Sequence, residues 1–217
     1  MCGRYALHAQ PEVIALQFGL SAPPDLAPRY NVAPGTRVLV VADGGRLRAE
    51  HWLWGLIGPW AKGIEGEKGV INARAESVAE KPMFRGAFRR QRCLVPASGY
   101  YEWQVVAGRK QPWYIRPADV PLFGFAGIYT LHRTEQGDAG TVAILTTGAN
   151  SSTRDIHDRM PVILRPADYS RWLDPAADTQ ALLALLGPYA PERVACHAVS
   201  PRVNAVRNDD ETCIAPL

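Results

Sequence analysis

The sequence predicts an α+β fold: a largely antiparallel, barrel-like sheet with short peripheral helices. Three observations lead there. Strand candidates outnumber helix candidates, and the two do not alternate in the rhythm of a parallel βαβ sheet. The 18 prolines and 19 glycines are spread along all 217 residues as turn punctuation. No linker, repeat or low-complexity stretch divides the chain, so a single domain over residues 1–217 is expected.

In chain order, Pro11 to Phe18 has a helix-starting proline and stops at Gly19. Arg37 to Ala42 and Leu47 to Trp54 read as strands flanking Asp43-Gly44-Gly45, a hairpin signal. In Ile71 to Glu76 polar residues recur at every second position. An extended backbone would set Asn72, Arg74 and Glu76 on one face and Ile71, Ala73 and Ala75 on the other. That row suits a binding site, and equally an amphipathic edge strand with an Arg74–Glu76 pair. Pro82 to Arg90 reads as a helix; 92–95, 99–106, 112–116, 121–129, 141–147, 159–164 and 194–199 read as strands. Helical segments are expected after Asn150, from Pro166 to Leu173, and from Thr179 to Leu186 before Gly187.

Composition removes several function classes. There is no 18-residue apolar run and no basic-then-apolar leader, so the expectation is a soluble, cytoplasmic protein without membrane contact. Cysteines at 2, 93, 196 and 213 form no Cys-x-x-Cys pair. The five histidines (8, 51, 132, 157, 197) lack ligand spacing, so neither a metal nor another cofactor is expected. Cys93, Cys196 and Cys213 read as buried thiols, and Cys196 and His197, adjacent in a strand, would face opposite ways. A net charge of +3 does not announce a nucleic-acid partner by itself. Its composition says more: 20 of 24 basic residues are Arg, whose planar fork matches phosphate oxygens, and Phe84 to Arg92 interleaves cations with aromatics. A solvated amphipathic helix would give the same run.

Three places carry chemistry. Removal of Met1 would leave Cys2 with an amine and a thiol on adjacent carbons. The α-amine, with a reference pKa of about 7.7–8.0, attacks an aldehyde to give an imine, and the neighbouring thiol then closes a five-membered thiazolidine. A Cys also falls beside an initiator Met without any function. In Cys93 to Trp103, Glu102 stands inside an aromatic run, where partial burial would raise its pKa into the range useful for proton transfer; it could also be a solvent-facing strand residue. In Ile156 to Val162, His157 sits between a polar segment and a strand, a position suited to a proton donor or to a hydrogen-bonded structural residue.

Together and in this order, these residues resemble the SOS response-associated peptidase (SRAP) family. The resemblance runs through Cys2-Gly3-Arg4-Tyr5, Tyr30 to Pro34, Trp54 to Ile57, residues 72–76, Pro96 to Trp103, Phe125 to Tyr129, Leu145 to Thr147, His157 to Leu164, Val199-Ser200 and Val203-Asn204. It departs at Gly58-Pro59-Trp60, where the family usually has a Pro, one residue and a Trp after the Trp54 segment. The resemblance implies a sensor and shield of abasic sites in single-stranded DNA, crosslinked covalently as a thiazolidine at Cys2, with lyase-type imine chemistry and with Met1 removed either by self-processing or by an aminopeptidase. It implies Cys2 as nucleophile, Asn72 orienting the terminus or the opened sugar, Glu102 shuttling protons and His157 protonating the sugar oxygen. Arg74 and Arg159 would hold flanking phosphates, with Arg4 and Arg85 as further phosphate contacts and Trp60 or Trp103 stacking on a base. A monomer is expected. An amide hydrolase with an N-terminal Cys nucleophile and a non-covalent DNA-binding module are the other classes compatible with these residues.

Overall fold

The computed structural model describes residues 2–61, 63–67, 69–135 and 137–217; Met1, on whose removal the aminothiol reading turns, lies outside them. The chain opens with strand β1 (Tyr5–Leu7) and helix α1 (Pro11–Phe18), which Gly19 closes in the left-handed conformation at φ 66°, its N–H bonded to the Ala15 carbonyl. Strands β2 (Arg29–Val32), β3 (Arg37–Asp43) and β4 (Leu47–Trp54) follow. The β3–β4 hairpin turns at the anticipated Asp-Gly-Gly: the Asp43 carboxylate accepts the Gly45 N–H at 2.8 Å, and Gly45 takes φ 96°. Next come β5 (Asn72–Arg74), α2 (Arg85–Arg90), β6 (Arg92–Ala97), β7 (Gly99–Val106), β8 (Arg109–Pro117), β9 (Phe123–Thr134) and β10 (Gly137–Gly148). The chain ends through β11 (Arg159–Pro161), β12 (Ile163–Leu164), α3 (Tyr169–Leu173), α4 (Thr179–Leu183), β13 (Val194–Ala198) and short 3-10 turns.

Strands β3, β4, β10, β9 and β6 close into a five-stranded barrel, with β6 returning to pair with β3. All of its pairings are antiparallel except β4 with β10. A second, fully antiparallel sheet of order β13-β8-β7-β1-β2 lies beside it. Aromatic rings join the two. Tyr5 of β1 meets Trp54 edge-on at 5.4 Å and Phe125 at 5.9 Å, and Tyr100 of β7 meets Phe125 at 6.2 Å. Each such pair contributes roughly 0.5–1.5 kcal/mol beyond the burial of its area. Strand alternation sorts the second sheet: Tyr5 and Tyr100 enter the main core, while Ala6, Tyr101 and Tyr114 enter a smaller cluster sealed by Val199, Val203 and Cys213.

Several elements depart from expectation for identifiable reasons. Only Asn72–Arg74 is extended; Ala75–Ser77 turns into 3-10 helix, so Glu76 leaves the row and pairs with Arg159 rather than Arg74. Strands β9 and β10 run past the expected 121–129 and 141–147 into a solvated hairpin, whose polar residues carry no burial signal. After Asn150 there is no helix. The Asn150 side chain accepts the Ser152 and Thr153 N–H groups, which locks turns instead. The expected 159–164 strand divides in two, because Val162 bonds to Leu145 on β10 and to Ala126 on β9 where those strands splay. Strands β1 and β2 are too short to announce themselves by alternation. Cys196 is only partly buried, since β13 is an edge strand; its neighbour His197 does face the other way, its ring 5.6 Å from Tyr114. Among the described residues no helix is long and apolar enough to cross a membrane, and no three His, Cys, Asp or Glu side chains gather as metal ligands.

Candidate active site

The N-terminal segment is positioned by strand pairing. Tyr5 lies opposite Tyr100 and Ala6 opposite Gly99, and the Tyr101 N–H donates to the Arg4 carbonyl at 3.0 Å. Before Arg4 the chain leaves this pairing and carries Cys2 into the main core, close enough to the Glu102 carboxylate to feel its charge. Gly99 is required for the pairing: a Cβ there would sit 2.2 Å from the Tyr114 ring.

Cys2 is fully buried, and Glu102 is 3% exposed. Desolvation pushes the Glu102 carboxyl up to about 7, poised between acid and base at neutral pH. Burial and the nearby Glu102 carboxylate both push the Cys2 thiol upward, so it is protonated at neutral pH. Thiol chemistry here needs a base, and Glu102 is the group beside it. Glu102 opens onto a cleft of about 520 Å³ lined also by Trp103, Val105, Lys110, His157 and Asn204.

His157 reaches the cleft from the turn before β11. Its Nδ1 lies 3.0 Å from the Arg159 N–H and 2.8 Å from an Asp158 carboxylate oxygen. The two contacts make opposite demands, since an amide needs a lone pair and an ion pair needs a proton. Burial holds the imidazole below its usual range and the Asp158 side chain is exposed, so the amide prevails and the neutral ring carries its proton on Nε2. Gln104 fixes this turn against β7, accepting from Trp113 Nε1 at 3.1 Å and donating to the Asp155 carbonyl at 3.0 Å.

The remaining expected residues divide into three groups. Asn72 is buried on β5, where its Nδ2 donates to the Ile71 and Ile144 carbonyls while its Oδ1 has no hydrogen-bond partner among the described residues. A buried, unmet acceptor costs roughly 1–3 kcal/mol. Arg74 and Arg159 flank Thr146 of β10 from either side, but differently: Arg74 is exposed, whereas Arg159 is held by a two-bond pair with Glu76 (2.6 and 2.9 Å) and by the Thr146 carbonyl at 2.7 Å. Arg4 is likewise engaged, donating to Asn31 Oδ1 at 2.7 Å and the Val203 carbonyl at 2.8 Å, with its guanidinium 5.8 Å from the Trp103 ring. Trp103 itself donates to Asn204 Oδ1 at 2.7 Å. Arg85, exposed on α2, and Trp60, 67% exposed, do not line the cleft. The departure at Gly58-Pro59-Trp60 has a local cause, since the Trp60 ring folds back over Gly58, where a Cβ would meet it at 2.5 Å.

Sequence reasoning missed Lys110, Asn204 and Asn31. Lys110 could have been found from the hairpin register, which sets it opposite Val105. Asn204 and Asn31 fall in segments that carry the family resemblance, but nothing local assigns them a role, because Trp103 lies 101 residues from Asn204, and Arg4 and Val203 lie 27 and 172 residues from Asn31. Asn31 is wholly buried and donates to the carbonyls of Val203, Ala205 and Asn208, fastening the C-terminal segment beneath Arg4.

A family model described as SOS response associated peptidase (SRAP) matches residues 1–206. The abasic site processing protein YoqW of Bacillus subtilis is 38% identical, with 99% of each chain covered. The abasic site processing protein YedK of Escherichia coli is 30% identical over the full length of both. A crystal structure of a protein from Bacteroides thetaiotaomicron superposes with a TM-score of 0.88 at 28% identity and full coverage of both chains.

Proposed function

This chain belongs to the SOS response associated peptidase family, and we propose that it captures abasic sites in single-stranded DNA as a covalent thiazolidine at Cys2. An abasic deoxyribose opens to an aldehyde at C1′. Once Met1 is gone, the Cys2 α-amine adds to that carbon and water leaves, giving an imine. The thiol sulfur then adds to the imine carbon while its proton passes to nitrogen. One water is released overall and nothing is oxidised or reduced. An imine at C1′ acidifies the C2′ protons and promotes loss of the 3′ phosphate; the saturated thiazolidine carbon closes that route and leaves the strand intact.

The observation that carries this reading is the pairing of β1 with β7, which sets the N-terminal segment beside a carboxyl raised to about 7. Glu102 would relay these protons, moving the amine proton to the departing hydroxyl as the imine forms and then the thiol proton to nitrogen as sulfur adds, a role that requires both of its protonation states near neutrality. His157, neutral with its proton on Nε2, would donate to the ring oxygen as the sugar opens. Asn72, with its unmet Oδ1, would receive a donor from the terminus or the opened sugar. Arg74 would meet a flanking phosphate, and Trp103 would offer a stacking face. The reading is supported by the names of the two relatives, both abasic site processing proteins. The protein would act in solution, as a monomer and without a cofactor.

The test is to incubate processed protein with single-stranded DNA bearing one abasic site and resolve the products on a denaturing gel. A band resistant to SDS is expected, and it should vanish when Met1 or an uncleaved tag blocks Cys2. Equal adduct from free and blocked protein would overturn the reading, and turnover of an amide without adduct would favour the hydrolase.

A further inference from the structure

Beyond Arg4, β1 no longer covers β7, and the outer half of that strand forms one wall of the cleft. Because the Tyr101 N–H points to β1, alternation turns the Trp103 and Val105 N–H groups the same way, toward the uncovered edge. Val105 is 68% exposed there, and Lys110 stands directly opposite it on β8. Lys110 is the one cation among the six lining residues, and no ion pair occupies it among the described residues. This wall is held in place by seven paired positions from Tyr100–Ile115 to Val106–Arg109, a two-residue turn with Ala107 at φ 48° and Gly108 at φ 78°, and the Gln104 bridge to the His157 turn.

From this placement we infer that the β7–β8 hairpin is a backbone-gripping element: Lys110 pairs with the phosphodiester of the nucleotide next to the captured sugar, and Val105 packs against that nucleotide's apolar face. The inference rests on single-stranded DNA being the ligand of this cleft, but not on the covalent step. Lys110 is thus a positioning residue that acts on affinity.

The binding arm uses Met1-retaining protein and intact single-stranded DNA, so no adduct is needed. Lys110→Gln should weaken binding about 2–10-fold in every sequence context and lower the log–log salt slope by about 0.7, one phosphate's worth. Lys110→Arg should restore both. In processed protein with abasic DNA, Lys110→Gln should slow crosslinking at low DNA concentration and recover the native rate at saturation. Unchanged affinity and slope would overturn the inference, as would a crosslinking defect that persists at saturating DNA. Failure of the thiazolidine alone would leave the binding arm as stated.

Discussion

In the proposed mechanism Glu102 carries the proton transfers, and its burial has a cost visible in stability. Its folded pKa of about 7 lies above the ordinary 4.5, so the folded protein holds a proton that the unfolded chain releases between those values. The stabilisation is complete below about 4.5 and is lost as pH rises through 7. Glu102→Gln should therefore melt higher than the native protein at pH 8 and flatten the decline between pH 4.5 and 7, as followed by thermal denaturation across pH. The same variant should slow adduct formation by about 10²–10⁴-fold, the usual loss of a general acid–base group. Native crosslinking rates across pH 6–8 would make Glu102 a structural residue.

At the scale of elements, short strands are fastened by side chains from far along the sequence. Strand β2 carries Asn31, whose amide spends every hydrogen bond on Arg4 and the 203–208 segment, while Asp209 reaches back to the Arg29 side chain and the Asn31 N–H. Asn31→Ala strips one hydrogen bond from each of three carbonyls and one from the Arg4 guanidinium, and should cost about 2–4 kcal/mol in urea unfolding; a loss below 0.5 kcal/mol would show that water replaces the amide without cost. Strands β5 and β11 sit on either side of β10, and their two arginines divide the work. Arg74→Ala should lower the salt slope of DNA binding by about 0.7. Arg159→Ala should act mainly by releasing Glu76 and loosening the His157 turn, slowing capture more than it weakens binding. Equal salt-slope changes in the two variants would show that Arg159 exchanges Glu76 for phosphate.

At the scale of the whole molecule, the barrel and the second sheet share one core through Tyr5, Tyr100, Trp54 and Phe125. The N-terminal strand is thus a structural strip between β2 and β7 and, in the proposed mechanism, leads from the nucleophile into the fold. Urea unfolding should be a single cooperative transition, with tryptophan fluorescence and far-UV circular dichroism coinciding. Two separated transitions would mean that the second sheet, and Cys2 with it, unfolds independently of the barrel.

Local chemistry was legible in the residues themselves. The aminothiol at Cys2, the carboxylate in an aromatic run, the Asp-Gly-Gly hairpin and the helix ending at Gly19 depend on near neighbours in sequence, and strand excess without alternating helices pointed to the antiparallel barrel. What the sequence could not decide were matters of long-range pairing. That β1 lies against β7, that Glu102 is desolvated rather than solvent-facing, that Arg159 pairs with Glu76 across 83 residues, and that Lys110 faces the cleft are all set by which strands meet. A strand of three residues has no period to read, and a carboxylate's pKa depends on how much water its neighbours exclude. The sequence by itself determined which groups could react; the tertiary structure decided which of them stand together, because only the closed sheets remove the water that keeps them ordinary.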